Sequence, residues 1–100
     1  MANTYHIGQK VRLFGDFYDD TETLTDPTTV TFMVKEPNDT ETAYVFGAST
    51  VVKDSVGKYH FDVTPNAADR WDYRITGVGN GVDAAKEDHF IARASAFTTP

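Results

Sequence analysis

The sequence predicts an all-β domain built as an antiparallel β-sandwich. Three observations predict it: apolar residues alternate with polar ones in short runs, turn-forming residues separate the runs, and no stretch has a convincing helical period. About seven such runs are typical of a sandwich, whereas a parallel α/β sheet needs helical crossovers. The chain has 100 residues, 40% of them hydrophobic, which is enough for one buried core.

The first predicted strand covers residues 11–18, with Gly15 as a bulge or a point of close approach. Its odd-numbered positions are apolar, yet Phe14 and Tyr18 lie at even-numbered positions. One face of such a strand normally meets water, so apolar groups on both faces predict cover by a terminal tail or another protein. The alternative is that these two aromatic residues lie partly exposed at the rim.

The other strands and the turns follow from the same alternation and from Gly, Pro, Asn and Asp. The remaining strands are expected at residues 30–35, 42–46, 50–53, 58–64, 71–77 and 83–93. Turns are expected at residues 19–27, 37–39, 54–57 and 77–81. The segment Pro65–Asp69 interrupts the pattern and is expected to hold a single helical turn.

The apolar positions of the inner faces make up the predicted core. It comprises Val11, Leu13, Phe17, Val30, Phe32, Val34, Tyr59, Phe61, Val63, Trp71, Tyr73, Ile75 and Phe90. Residues 1–7 are expected to form an N-terminal arm, residues 8–93 the sandwich and residues 94–100 a C-terminal tail. In the arm, Tyr5 and Ile7 either anchor to a neighbouring protein or cap their own sandwich. The predicted partner contacts are therefore Tyr5, Ile7, Phe14 and Tyr18.

Composition excludes several classes of function. The chain has no cysteine, which excludes disulfides, zinc–thiolate sites and thiol catalysis. Its net charge is −6 with nine scattered Lys and Arg residues, so a nucleic-acid groove is not expected. No apolar run approaches the roughly 20 residues of a membrane helix, and the polar start has no signal-peptide pattern.

No catalytic or cofactor-binding residue is predicted. The three histidines, His6, His60 and His89, lie on separate elements, and His60 is expected to point outward because Tyr59 and Phe61 point inward. No Gly-x-Ser-x-Gly nucleophile elbow occurs. The glycines of residues 77–81 favour a hairpin with positive φ rather than a phosphate cradle, since no Lys-Ser/Thr follows them.

Acidic residues concentrate in the first turn, and two interpretations remain open for them. They are Asp16, Asp19, Asp20, Glu22 and Asp26. Their spacing lacks the glycine and the closing glutamate of an EF-hand loop, so no metal ligand is assigned. The favoured interpretation is a solvated acidic turn that keeps neighbouring copies apart, and the alternative is an oxygen-rich calcium loop.

Four motifs in order resemble small immunoglobulin-like β-sandwich proteins encoded by tailed bacteriophages and prophages. They are Gly8–Leu13, Asp26–Phe32, Asp54–Tyr59 and Trp71–Arg74. The resemblance covers about residues 5–92, nearly the whole chain. It implies an immunoglobulin-like fold of about seven strands, and it implies function less closely, because such sandwiches have many binding roles.

Two departures from immunoglobulin patterns concern the aromatic residues. The turn before Tyr59 resembles a tyrosine corner but has one extra residue, Val56, so Tyr59 is expected as a core or corner tyrosine. Since antibody-type cysteines are missing, Trp71 is expected to pack on apolar partners instead of a disulfide. The candidate partners are Phe32, Tyr59, Phe61 and Phe90.

The resemblance implies a non-enzymatic structural protein of a phage virion, made in the bacterial cytoplasm and attached to the capsid surface as a decoration or accessory protein. Its expected partner is a capsid or other virion protein, with self-association in a symmetric assembly as a further option. Nucleic acid and membrane are not expected partners. The alternative is a tail- or surface-displayed module whose end loops bind host carbohydrate or other cell-surface groups.

Overall fold

A computed structural model describes residues 4–48 and 50–94, and in this part of the chain every regular element is a β-strand. The eight strands are β1 (Thr4–His6), β2 (Val11–Asp16), β3 (Thr29–Lys35), β4 (Glu41–Val45), β5 (Val52–Ser55), β6 (Lys58–Val63), β7 (Asp69–Gly79) and β8 (Val82–Arg93). The all-β prediction is therefore confirmed for the described residues.

The strands form two sheets. One has five strands in the order β1-β8-β7-β3-β4, and the other has three in the order β2-β6-β5. All pairs are antiparallel except β1 with β8. The inner faces of the two sheets pack through aromatic rings. The ring centroid of Phe61 on β6 lies 6.0 Å from that of Phe32 on β3 and 4.3 Å from that of Tyr44 on β4.

The longest feature is the β7–β8 hairpin, which pairs residue by residue from Asp69↔Ala92 to Gly79↔Val82. Its two-residue turn needs Asn80 at φ 55° and Gly81 at φ 83°, the left-handed conformations that asparagine and glycine tolerate. The glycine-rich segment thus contains a hairpin turn as predicted, although residues 77–79 lie inside β7 and only Asn80 and Gly81 form the turn.

Gly15 of β2 is a point of close approach and not a bulge. The register of β2 with β6 runs unbroken from Val11↔Val63 to Asp16↔Lys58. A Cβ atom at Gly15 would lie 2.8 Å from Cγ2 of Ile75 on the facing sheet. Glycine therefore lets the two sheets approach each other at this position.

The N-terminal arm was predicted as a tail, but its described part is largely a strand. Residues Thr4–His6 pair in parallel with Ile91–Arg93 of β8, and the amide of Ile7 continues the ladder by donating to the Arg93 carbonyl at 3.0 Å. This strand is the eighth, where about seven were expected. Residues 1–3 and 95–100 of the predicted arm and tail lie outside the described residues.

The predicted core residues are buried with one exception. Tyr73 is half-buried and packs against the core from its edge, where its ring is tilted against Phe90 at 6.4 Å. Trp71 stacks on Phe90, one of its four candidate partners, with 5.9 Å between the ring centroids and an interplanar angle of 12°. The core also includes residues that were not predicted, which are Val51, Val82 and Ala92.

The segment Pro65–Asp69 contains a bend and no helical turn, so that expectation was wrong. Its geometry is instead held by one contact with a distant residue and one with a nearby residue. Pro65 is fully buried, and its carbonyl accepts the amide of Gly8 at 3.1 Å. The indole Nε1 of Trp71 donates to the Ala67 carbonyl at 3.0 Å, which satisfies the one polar group of a buried tryptophan.

Candidate functional site on the outer face of the three-stranded sheet

The outer face of the β2-β6-β5 sheet carries an apolar row between two charged rows. The strand register aligns Phe14, His60 and Val52 in the central row. Phe14 is 60% exposed and Val52 is 44% exposed, although both lie in regular strands. We define the apolar row as these three residues.

His60 is the buried centre of the apolar row. It was predicted to point outward, and its strand position does place it on the outer face, but it is only 7% exposed. The Phe14 ring lies 6.3 Å from the imidazole in an edge-on arrangement. Nδ1 of His60 is 2.8 Å and 2.7 Å from the two carboxylate oxygens of Asp54, so the buried ring nitrogen has a charged partner.

A bidentate ion pair borders the apolar row on one side. Arg12 Nε and Nη2 donate to the two carboxylate oxygens of Asp62 at 2.9 Å and 3.2 Å, directly across the β2–β6 pair. These bonds hold the pKa of the Asp62 carboxyl below its usual range and raise the pKa of the Arg12 guanidinium. This flat, paired geometry fixes both side chains against the sheet.

A looser pair borders the apolar row on the other side. Lys58 Nζ lies 3.8 Å from the Asp16 carboxylate, again directly across the strands. Along β2 the outer face therefore runs from a cation at Arg12, through the phenyl ring of Phe14, to an anion at Asp16. The face therefore combines exposed apolar area with charges of both signs.

The structure separates the four predicted partner contacts into two groups. Phe14 and Tyr18 are exposed, at 60% and 49%. Tyr5 and Ile7 are partly buried against the core of their own domain, and the Tyr5 ring meets Phe90 edge-on at 5.8 Å. Of the two alternatives for the arm, these contacts correspond to a cap on its own sandwich.

The loops at one end of the sandwich are joined by Asp26, a role that the sequence did not reveal. Its Oδ1 accepts the Gly57 amide at 2.8 Å and the Tyr59 hydroxyl at 3.1 Å, and its Oδ2 accepts Lys53 Nζ at 2.6 Å. Its backbone carbonyl accepts Asn80 Nδ2 at 2.9 Å. Asp26 thus connects the segment before β3 to both hairpin turns at this end.

Titration at Asp26 reflects these contacts. The Lys53 ammonium, the Gly57 amide and the Tyr59 hydroxyl hold the pKa of the Asp26 carboxyl below its usual range. Burial, and then the hydrogen bond to Asp26, raise the pKa of Tyr59 to about 12. Tyr59 is therefore a core tyrosine whose hydroxyl binds a distant side chain, and it does not form a tyrosine corner with nearby backbone.

The acidic turn is organised by its own backbone. Oδ1 of Asp19 accepts the amides of Thr21 and Thr23 at 2.8 Å and 3.1 Å, together with the Thr21 hydroxyl at 2.6 Å. These bonds hold the pKa of the Asp19 carboxyl below its usual range. Within residues 4–48 and 50–94, no three His, Asp or Glu side chains converge as a metal site would require.

A cleft of about 250 Å³ opens between the sheets beside β4. Tyr44, Phe61 and Trp71 line it together with polar residues, which include Glu36, Thr42, Asp62, Thr64 and Asn66. The histidines do not contribute to this cleft. His6 is exposed on β1, His60 belongs to the apolar row and His89 lies half-buried on β8.

Sequence reasoning found Phe14 but missed Asp54, Val52 and the burial of His60. The alternation of β2 showed that Phe14 lies on the wet face, and this signal was sufficient. The partners of His60 come from β5, whose register with β6 shifts between Lys53 and Ser55. A short strand with an irregular register gives no pattern from which cross-strand neighbours can be derived.

Comparison with known proteins adds no further assignment. No family model matches the chain, and neither a characterised protein nor a solved structure is significantly similar to it. In the described part of the chain, no helix is long and apolar enough to cross a membrane.

Proposed function

We propose that this protein is a non-enzymatic, immunoglobulin-like accessory protein of a tailed-phage virion, which binds a capsid or other virion protein through the outer face of its three-stranded sheet. The observation that carries the contact role is the exposure of two apolar side chains of the apolar row, Phe14 and Val52, between two ion pairs. The virion setting rests on the resemblance of the four sequence motifs to phage proteins.

The strand order supports the immunoglobulin-like part of the proposal. In variable-type immunoglobulin domains, a sheet of strands G, F, C and C′ faces a sheet that contains B, E and D. Here β8, β7, β3 and β4 follow the first order, and β2, β6 and β5 follow the second. The parallel pairing of β1 with β8 gives the first strand a place beside the last.

The nature of the exposed groups supports protein contact. An interface core needs apolar area with few unpaired charges, and charged groups at its rim add specificity. Phe14 and Val52 supply the apolar area, whereas Arg12 and Asp62 are already paired with each other. His60 is held by Asp54 beneath Phe14, so the row is pre-organised before any partner arrives.

The test is the composition of particles. Tailed-phage particles are purified from the phage or lysogen whose genome encodes this sequence, and their proteins are identified by mass spectrometry and imaged by electron cryomicroscopy. The proposal predicts a stoichiometric amount of the protein and density that repeats with the particle's symmetry. Absence of the protein from infectious, gradient-purified particles would contradict it.

A second candidate, carbohydrate binding, is favoured by the cleft beside β4. Aromatic rings and polar side chains line it, with Tyr44 stacked on Phe61 at 4.3 Å, and this combination suits a sugar ring. The cleft lies between the sheets and not in the end loops. Saturable binding of bacterial surface polysaccharide that Tyr44→Ala abolishes, with no protein on particles, would favour this candidate over the first.

A further inference from the structure

The open edge of β2 is the least protected strand edge in the described part of the chain. Four strands lie at sheet edges there: β1, β4, β2 and β5. β1 has three residues, β4 has five, and β5 has four with an irregular register, whereas β2 has six in unbroken register. Short or irregular edges resist strand addition, and long regular ones accept it.

The backbone groups of β2 alternate between its partner strand and the open edge. The Phe17 amide donates to the Gly57 carbonyl at 2.8 Å, one step beyond the pair Asp16↔Lys58. In an antiparallel pair such bonded positions recur at every second residue. The odd-numbered residues of β2 therefore bond to β6, and Arg12, Phe14 and Asp16 direct their amides and carbonyls toward the open edge.

The same three residues carry a pattern that is complementary to itself. They place a cation, an aromatic ring and an anion at equal spacing along one face of the strand. When a second β2 lies antiparallel with Phe14 opposite Phe14 of the second copy, Arg12 lies opposite Asp16 of the second copy, and the reverse. Opposite charges and aromatic pairs directly across strands are the favourable cross-strand pairs.

We propose that two copies of this chain associate by antiparallel pairing of their β2 edges about a two-fold axis at Phe14. The two three-stranded sheets join into one sheet in the order β5-β6-β2-β2-β6-β5. The apolar rows then meet end to end, and each charged row alternates in sign through Asp62, Arg12, Asp16 of the second copy and Lys58 of the second copy. About six new backbone hydrogen bonds form, two for each bonded pair.

The space beside the β2 edge is compatible with an added strand. A cleft of about 230 Å³ lies there, lined by Phe14–Phe17 on one side and by Ile75 and Ala84–Lys86 on the other. A second strand in register would extend the sheet along this opening. The proposal concerns the isolated protein in solution and does not depend on the virion assignment.

Charge reversal tests the register directly, with sedimentation equilibrium as the measurement. The wild type is expected to dimerise reversibly with a dissociation constant below about 1 mM. Arg12→Asp alone sets like charges against Asp16 of the second copy, and Asp16→Arg alone does the same against Arg12. Each single variant is expected to raise the dimer dissociation constant at least about tenfold.

Mixing the two single variants provides the matched control. In a heterodimer of Arg12→Asp with Asp16→Arg, both cross-strand pairs have opposite charges again, so the heterodimer is expected to form where neither variant forms a homodimer. The Phe14→Lys variant is expected to stay monomeric. The Val78→Lys variant, changed at an exposed apolar residue of β7, is expected to dimerise like the wild type. Circular dichroism verifies that every variant is folded.

Hydrogen exchange of the backbone amides provides a second, independent test of the pairing. The amides of Arg12, Phe14 and Asp16 are expected to gain protection as protein concentration rises. A wild type that stays monomeric at protein concentrations up to about 1 mM would overturn the proposal, even if β2 then pairs with a strand of a different protein. So would a dimer that Phe14→Lys and the charge reversals leave intact, or single variants that fail to form the heterodimer.

Discussion

The hydroxyl of Tyr59 donates a hydrogen bond to Oδ1 of Asp26 at 3.1 Å, across 33 residues of sequence. The same carboxylate holds the β5–β6 turn through the Gly57 amide and reaches Lys53 through its other oxygen. This contact connects a core residue of the three-stranded sheet to the loop that precedes β3.

Removing the Tyr59 hydroxyl is expected to destabilise the protein. Tyr59→Phe removes one of the two hydrogen bonds to Oδ1 of Asp26, which keeps the Gly57 amide as a donor, so the free energy of unfolding should fall by about 0.5–1.5 kcal/mol. Urea unfolding at neutral pH measures the change. In a double-mutant cycle with Asp26→Ala, which removes the acceptor, the two effects should be less than additive, because both changes remove the same contact.

The control for this cycle is Tyr18→Phe, which removes a hydroxyl from an exposed tyrosine. Its effect should stay within about 0.5 kcal/mol. Strict additivity of Tyr59→Phe and Asp26→Ala would show that the two side chains do not interact.

Tyr59 also predicts how stability depends on alkaline pH. Its pKa is raised from 10.0 to about 12 by burial and by Asp26, so folding favours the neutral phenol. This preference stabilises the folded protein fully below the unfolded pKa of 10.0. The stabilisation is lost as the pH rises from there to the folded pKa of about 12. Tyr59→Phe should lose less stability than the wild type over this interval.

An absorbance titration of the phenolate band, wild type minus Tyr59→Phe, reports the group directly. The difference curve should have its midpoint near 12 while the protein is folded. A midpoint near 10 would mean that Tyr59 is accessible to solvent and not bonded to Asp26.

Trp71 is expected to be among the costliest core residues to truncate. Its indole is buried, stacks on Phe90 and donates to the Ala67 carbonyl, so Trp71→Ala removes packing and leaves that carbonyl unpaired. The free energy of unfolding should fall by about 3–5 kcal/mol. Thermal and urea unfolding measure it, and an unchanged melting temperature would contradict the packing described for β7 and β8.

Gly77 is expected to tolerate no side chain. A Cβ atom there would lie 2.5 Å from two ring carbons of Phe17, which is itself fully buried. Gly77→Ala should therefore destabilise the protein by about 1–3 kcal/mol through overpacking, despite the higher strand propensity of alanine. Val78→Ala, at the exposed neighbouring position, is the matched control and should change stability by less than about 0.5 kcal/mol.

The sequence was informative where a pattern is local. Alternation with period two placed Val11, Leu13 and Phe61 in the core, and Asn80-Gly81 predicted a hairpin turn, because both signals depend on neighbouring residues only. The same alternation put Phe14 on the wet face of β2. The amides and carbonyls at the open edge of β2 are identified from the pairing of β2 with β6, its one partner strand.

The features that were missed depend on distant segments. The three residues of β1 are too few to show a period, and their parallel partner lies at the other end of the chain. The alternation of β6 predicted which face of the sheet His60 occupies. It did not predict that His60 is buried, because Phe14 and Asp54 contact it from two other strands. Asp26 read as part of a turn, although its partners are side chains and amides far along the sequence.

The proposed function depends on contact through the outer face of the three-stranded sheet. The measurement that tests the proposed virion role is co-sedimentation of recombinant wild type and of Phe14→Lys with tailed-phage particles purified from the source of the sequence, after any copies of the protein have been stripped from them. The wild type is expected to bind saturably at a copy number set by the particle's symmetry, while folded Phe14→Lys fails to bind. Equal binding of both proteins, or binding of neither, would contradict a contact role for this face.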